Sequence, residues 1–133
     1  MTRQADYAVR CVLYLARAPH RIESVGAIAR AMHIPRSFLA KIVQRLVKIG
    51  LLRSLRGVQG GIQLARRPRA INLLEVIEAI QGPSAMRECA VNPRDCCLSA
   101  TCAVHPIWVE LRRVAVQRLK RENFAQLARR RAR

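Results

Sequence analysis

The sequence lacks a long hydrophobic run. Its longest stretch without Asp, Glu, Lys or Arg, residues 96–109, contains Ser, Thr, His and Pro and is too short to cross a bilayer. The opening residues, MTRQAD, also lack the layout of a signal peptide. We therefore expect a cytoplasmic protein with no membrane partner, in which the thiols of cysteine side chains stay reduced.

Acidic residues are scarce, since 8 Asp and Glu stand against 25 Lys and Arg, which gives a formal net charge of +17 at pH 7. No acidic residue lies between Glu23 and Glu75, an interval that carries ten basic ones. A polyanion such as nucleic acid is the natural partner of such a segment, and a solvated basic surface is the alternative. The sequence also lacks a recognisable grouping of nucleophile, base and orienting residue, which argues against an enzyme.

Three segments near the N-terminus carry apolar residues at the i, i+3, i+4, i+7 spacing of an amphipathic helix. The first stripe contains Cys11, which is therefore expected in the core. The second and third are separated by a tight turn over residues 33–37, as in a helix-turn-helix motif, and Gly50 ends the third. The stripes are Ala8, Cys11, Val12 and Leu15; Val25, Ile28, Ala29 and Met32; and Leu39, Ile42, Val43 and Leu46.

The stretch LLRSLRGVQGGIQLARRP changes to strand spacing, with strands expected from Leu51 to Leu55 and from Ile62 to Ala65 around a glycine turn. A fourth helix over INLLEVIEAIQG and a long helix from Pro106 follow. We predict a mainly α protein, a winged helix-turn-helix domain with a small two-stranded wing, a cysteine loop and a long C-terminal dimerisation helix. The expected divisions are residues 1–82, 83–105, 106–127 and a basic tail, 128–133, whose arginine-rich composition predicts disorder.

The polar side of the third helix and the wing hold the predicted DNA contacts. Arginine, lysine, glutamine and serine donate to phosphates and base edges when a recognition helix enters the major groove, and an arginine at a wing tip suits a narrow minor groove. The candidates are Arg36, Ser37, Lys41, Gln44 and Arg45 on the helix and Arg53, Arg56 and Gln59 on the wing.

The long helix carries its own apolar stripe, Trp108, Leu111, Ala115 and Leu119, flanked by Ile107 and Val114. Half-sites one duplex turn apart favour a two-fold dimer, so one interpretation pairs this helix with its copy in a homodimer. The other packs the stripe on its own domain. Periodicity alone does not choose between them.

Four of the five cysteines, Cys89, Cys96, Cys97 and Cys102, lie close together, and no C-x-x-C motif is present. Structural zinc sites usually use tight C-x-x-C knuckles, so these wider gaps favour an iron–sulfur cluster. Adjacent Cys96 and Cys97 point in different directions, so we expect only one of them to be a ligand. Unligated thiols that sense oxidation are the alternative.

Five stretches together resemble the winged-helix, iron–sulfur cluster-binding transcription regulators of the IscR, NsrR and RirA type, over residues 1 to about 128. They are TRQADYAVR, IPRSFLAKIVQRL, GLLRSLRGVQGGIQLAR, INLLEVIEAIQG and the cysteine loop running into CAVHPIW. The resemblance implies homodimers that bind pseudo-palindromic, double-stranded promoter DNA, with the cluster controlling affinity. Ala40 stands where one branch has an acidic base-reading residue, so that branch's operator sequence does not transfer.

The resemblance also bears on the cluster ligands. The pattern C-x-L-x3-C favours Cys96 over Cys97, and His105 matches the histidine of IscR-like 2Fe-2S proteins. Asp6 matches the aspartate that NsrR-like proteins offer to a 4Fe-4S cluster from the partner subunit. We favour Cys89, Cys96, Cys102 and His105 around a 2Fe-2S cluster. The alternative function is a basic winged-helix nucleic-acid binder with a zinc or thiol-redox cysteine site.

Overall fold

Six α-helices and a two-stranded wing make up the computed structural model, which describes residues 1–83 and 92–130. The predicted class, mainly α with a small wing, is confirmed. The helices are α1 (Arg3–Ala16), α2 (Val25–Met32), α3 (Arg36–Lys48), α4 (Leu73–Gln81), α5 (His105–Arg121) and α6 (Phe124–Arg129). The strands are β1 (Leu52–Leu55) and β2 (Gly61–Leu64), and short 3-10 turns occupy Pro68–Ala70 and Pro93–Asp95.

The first three helices form where the apolar stripes predict them. The hydroxyls of Thr2 and Ser24 accept backbone N–H groups at the starts of α1 and α2, which satisfies donors that the helix leaves free. The stripes then meet in one core. Cys11 lies in that core as expected, and burial raises the pKa of its thiol to about 12, so it stays protonated and unreactive.

The turn between α2 and α3 depends on one unusual backbone conformation. His33 adopts the left-handed region, with φ 54° and ψ 49°, and the N–H of Ile34 donates to the carbonyl of Ala29 at 2.9 Å. This geometry ends α2 sharply and is normally given to glycine or asparagine. At the end of α3, Gly50 fills the same role, because its φ of 82° lets the N–H of Leu51 reach the Leu46 carbonyl.

The wing strands pair antiparallel, with Leu52 opposite Leu64. Strand β1 starts one residue later than expected and ends at Leu55 as expected, and β2 lies one residue earlier than expected at both ends. Glu23 forms an additional bridge with Ile62 on the other edge of β2, a pairing that the sequence pattern did not predict. The backbone comes so close there that a Cβ on Gly61 would lie 2.5 Å from the Glu23 carbonyl oxygen. Glycine is therefore required at this position.

The C-terminal part differs from the expected continuous helix over residues 106–127. The long helix α5 packs against α4 and ends at Arg121. The side chain of Asn123 then caps a second helix, α6, whose first residue, Phe124, is fully buried in the main core. The expected unstructured tail from Ala128 is also wrong for its first residues, which belong to α6, whereas residues 131–133 lie outside the described part.

Candidate DNA-binding face and cysteine loop

The exposed side of α3 carries four of the predicted DNA contacts, and their side chains are all solvent-exposed. Within residues 1–83 and 92–130 none of them makes a hydrogen bond or ion pair through its side chain. Donors that are exposed and uncommitted are available to phosphates and base edges. They are Arg36, Ser37, Lys41 and Gln44.

Arg45, the fifth candidate on α3, is committed elsewhere. Its guanidinium donates a hydrogen bond of 3.0 Å to the carbonyl oxygen of Ile80, in the last turn of α4. A cation at a helix C-terminus is favoured by the partial negative charge of the free carbonyls. Arg45 therefore joins the recognition helix to the end of the helix that precedes the cysteine loop.

The same end of α4 is joined to α1, since the side-chain oxygen of Gln81 accepts the backbone N–H of Thr2 at 2.9 Å. Thr2 is the cap of α1, and Asp6 lies in the first turn of that helix. The base of the cysteine loop thus contacts both the recognition helix and the helix that carries Asp6.

On the wing, Arg56 and Gln59 are exposed in the turn between the strands, as predicted. Arg53 lies earlier, on β1 opposite Gln63, and its guanidinium is 3.5 Å from the carbonyl oxygen of Ala65. It therefore lies at the base of the wing and not at the turn.

Two apolar side chains on this face were not predicted as contacts. Phe38 on α3 is 50% exposed, and Val58 in the wing turn is fully exposed. Apolar groups at such positions can contact the methyl group of thymine. Phe38 was recognisable in the sequence, because it lies outside the apolar stripe of α3 next to Leu39.

Cys96, Cys97 and Cys102 are free thiols in the structure, and Cys89 lies outside the described residues. Cys96 and Cys102 are half-buried, whereas Cys97 is exposed. Successive turns hold this segment, with the N–H of Cys102 donating to Leu98 at 2.7 Å and the N–H of His105 donating to Cys102 at 3.2 Å. Cys102 and His105 are therefore one turn apart.

His105 has a buried ring nitrogen without a partner. It is the first residue of α5, and its Nδ1 atom has no hydrogen bond within the described parts of the chain. The cap of α5 is Val104, so capping does not explain this histidine. A buried nitrogen normally has a hydrogen-bond or metal partner, and Nδ1 of a neutral imidazole suits a metal ion.

Asp6, the competing ligand, has a partner already. Its carboxylate lies 2.6 Å from the guanidinium of Arg10, one turn later in α1. Arg10 also reaches the carbonyl of Met32 and lies over the ring of Tyr7. The position of Asp6 is thus explained by an ion pair alone.

No group of three or more potential metal ligands comes together among residues 1–83 and 92–130. The predicted set needs Cys89, which is outside those ranges, so the structure tests the fit only of Cys96, Cys102 and His105. The unpartnered nitrogen of His105 and the two free, half-buried thiols are ligand types that an iron–sulfur cluster accepts, but the structure does not bring these three residues together into one site. The same ranges contain no helix long and apolar enough to cross a membrane.

Comparisons with known proteins agree with the geometry. A family profile described as Rrf2, iron-dependent transcriptional regulator, matches residues 1–130. The HTH-type transcriptional regulator NsrR of Shouchella clausii is 34% identical over 99 residues, covering 74% of this chain and 66% of that protein. The expectation of a regulator instead of an enzyme agrees with this relative.

Two solved structures share the fold. T. potens IscR superposes with a TM-score of 0.78 at 23% identity, over 96% of this chain and 84% of that one. The oxidized form of Staphylococcus aureus CymR superposes with a TM-score of 0.81 at 22% identity, over 99% and 98%. At these identities the likeness supports the winged-helix fold.

Proposed function

Since the chain belongs to the Rrf2 family of transcriptional regulators, we propose that it binds promoter DNA as a homodimer and that an iron–sulfur cluster in the cysteine loop controls its affinity. The buried, unpartnered Nδ1 atom of His105 is the observation that carries the cluster proposal. A cytoplasmic location is part of the proposal, because promoter DNA and reduced thiols occur together there.

The DNA-binding part of the proposal rests on the exposed donors of α3 and the wing. Arg36, Lys41 and Gln44 would contact the major groove and Arg56 the minor groove. Because such a surface is small, a second copy related by a two-fold axis would supply the other half-site contacts.

The homodimer part rests on an apolar stripe of α5 that is exposed in the single chain. Val104, Ile107, Leu111 and Val114 are 44%, 55%, 46% and 50% exposed and follow one another at helical spacing. The predicted stripe is thus divided, since Ala115 and Leu119 face α4 of their own chain while Leu111 faces outward. We expect the outward residues to pair with those of a second copy.

The cluster would be held by Cys89, Cys96, Cys102 and His105, with 2Fe-2S favoured over 4Fe-4S. When bound, it supplies a centre that responds to redox state, nitric oxide or iron supply. The residues of this chain would hold and orient it. Because His105 is the first residue of α5, the positive end of that helix would lie beside the anionic thiolates and stabilise their charge.

The contacts at the end of α4 suggest how the loop would act on DNA binding. A change in the cysteine loop that moves Gln81 would also move its neighbour Ile80. The carbonyl of Ile80 accepts the hydrogen bond from Arg45 on α3. We propose Arg45 as a positioning residue in this connection. Arg45→Met should therefore reduce the ratio between the operator affinities of cluster-bound and cluster-free protein, whereas loss of a simple phosphate contact would weaken both forms equally.

The proposal is tested on protein purified without oxygen. We expect iron, sulfide and visible absorption in the wild type, and operator affinities that differ about 5- to 150-fold between cluster-bound and cluster-free forms. Cys96→Ala and Cys102→Ala should lose the cluster. Cys97→Ala is the matched control and should keep it. Equal affinity of the two forms would contradict cluster control.

A thiol-based regulator is the second candidate. The half-buried thiols of Cys96 and Cys102 and the exposed thiol of Cys97 are free to react. In that case the anaerobic protein would be colourless, zinc or no metal would be found, and mild oxidation would change operator binding. Reversal by dithiothreitol would then identify a disulfide between these thiols.

A further inference from the structure

A concave, arginine-lined surface lies at the base of the wing, between the end of α1, strand β2 and α6. We call it the arginine groove. It has a volume of about 820 Å³ and is lined by arginines from four separate segments of the chain. These are Arg17, Arg53, Arg66, Arg67, Arg69 and Arg129.

The positive charge of the arginine groove is largely uncompensated. Arg66 pairs with Glu75, and Arg53 makes only its long contact with the Ala65 carbonyl. In the described part of the chain, Arg17, Arg67, Arg69 and Arg129 have no side-chain hydrogen bond or ion pair. Arginine keeps its proton in a protein, so these groups repel one another and a bound anion would lower that repulsion.

Apolar residues and prolines also line the arginine groove. They include Ala16 and Leu64, which are buried, together with Ala128, Pro19 and Pro68. The amide of Gln63 donates to the carbonyl of His20 at 3.0 Å and so holds the segment after α1 against β2. The volume of the groove, about 820 Å³, lies within the size range of small-molecule sites.

We propose that the arginine groove binds a small anion carrying two or more linked phosphate groups, such as a nucleoside diphosphate or triphosphate. One guanidinium group can donate two parallel hydrogen bonds to the oxygens of one phosphate. Several arginines around the recess therefore match a ligand with several phosphates better than a ligand with a single phosphate. Apolar lining residues such as Leu64 would then contact the organic part of the ligand. A DNA duplex, by contrast, presents its backbone as a broad convex surface and suits the exposed face of α3 and the wing turn.

The site does not depend on the cluster, so it is tested first with cluster-free, DNA-free, full-length protein. Inorganic pyrophosphate and ATP are titrated by calorimetry into the wild type and into Arg67→Gln/Arg69→Gln. Arg113→Gln/Lys120→Gln is the matched control, because it removes the same charge from exposed positions on α5. Arg129→Gln is a second groove variant, and circular dichroism checks that each variant is folded.

Saturable binding of ATP or pyrophosphate, weakened about tenfold or more by the groove variants and unchanged in the control, is expected. Equal weakening in the control would overturn the proposal, because it would mark a non-specific charge effect. A second arm measures binding of a duplex. The other outcome is that the groove variants bind ATP and pyrophosphate as the wild type does, while the salt dependence of their duplex binding falls by the equivalent of about two phosphate contacts. The groove would then be a contact for the DNA backbone, and the proposal would be wrong.

Discussion

Replacing Phe124 with alanine is expected to destabilise the protein by about 3–5 kcal/mol, the usual cost of removing a large aromatic side chain from a packed core. Phe124 is 0% exposed, and its backbone N–H donates to the carbonyl of Ile71 at 3.0 Å, which fixes the start of α6 against the segment just before α4. The resulting cavity would lie where α6 meets α1, so the loss would affect the whole domain.

The chain offers an internal control, because it contains only one other phenylalanine. Phe38 is half-exposed on α3, so Phe38→Ala should change the free energy of unfolding by no more than about 0.5 kcal/mol. The same substitution should instead weaken operator binding, as removal of an apolar contact with a base would. Because both variants make the same change, Phe to Ala, the comparison separates the effect of a core residue from that of a surface contact.

Urea unfolding followed by circular dichroism measures the first effect, at one fixed protein concentration because dimerisation would add to apparent stability. Native domains are stable by only about 5–15 kcal/mol, so the loss in Phe124→Ala should be obvious. A loss below about 1 kcal/mol would refute the packing of α6 in the core. A large loss in Phe38→Ala would refute the assignment of Phe38 to the surface.

Four further outcomes are expected. Arg56→Ala should weaken operator binding by about 1–3 kcal/mol in a fluorescence anisotropy titration, and unchanged affinity would exclude the wing turn from the interface. His105→Ala should lose or alter the visible spectrum of the anaerobic protein while Asp6→Ala keeps it, and the reverse result would assign the fourth ligand to Asp6. Leu111→Asp should convert a dimer to monomer in analytical ultracentrifugation, because it places charge in the exposed stripe of α5. His33→Gly should raise the free energy of unfolding by about 1 kcal/mol, since glycine adopts the left-handed region without strain, and no gain would mean that the turn is not under strain.

The parts that sequence could predict are those fixed by short-range spacing. The stripes containing Cys11 and Leu46, the cap at Gly50 and the glycine turn of the wing all depend on neighbours within a few residues. Each of them appears in the structure within about one residue of its expected place. The exposed donors of α3 follow from the same periodicity, because a helix with one apolar side must turn its polar side to solvent.

Other features of the structure depend on contacts between distant segments, and the sequence pattern indicates them only weakly. Asn123 before Phe124 is a typical helix start, but the arginines that follow made the segment resemble a disordered tail. Arg45 has the composition of a DNA contact, and only the position of α4 shows that it contacts the Ile80 carbonyl. The pairing of Glu23 with β2 likewise requires the tertiary fold, since one residue carries no strand pattern.

The cysteine loop leaves the domain at the end of α4 and returns at the start of α5, and these two helices pack against each other through residues such as Leu74, Val116 and Leu119. The closure of the loop is therefore maintained by the helices and not by the loop's own length. Lengthening such a loop costs little, about 0.6 kcal/mol for each doubling of its residues. Evolution can therefore exchange the chemistry of this loop while the DNA-reading helix stays unchanged, so that one scaffold can respond to different signals across a lineage.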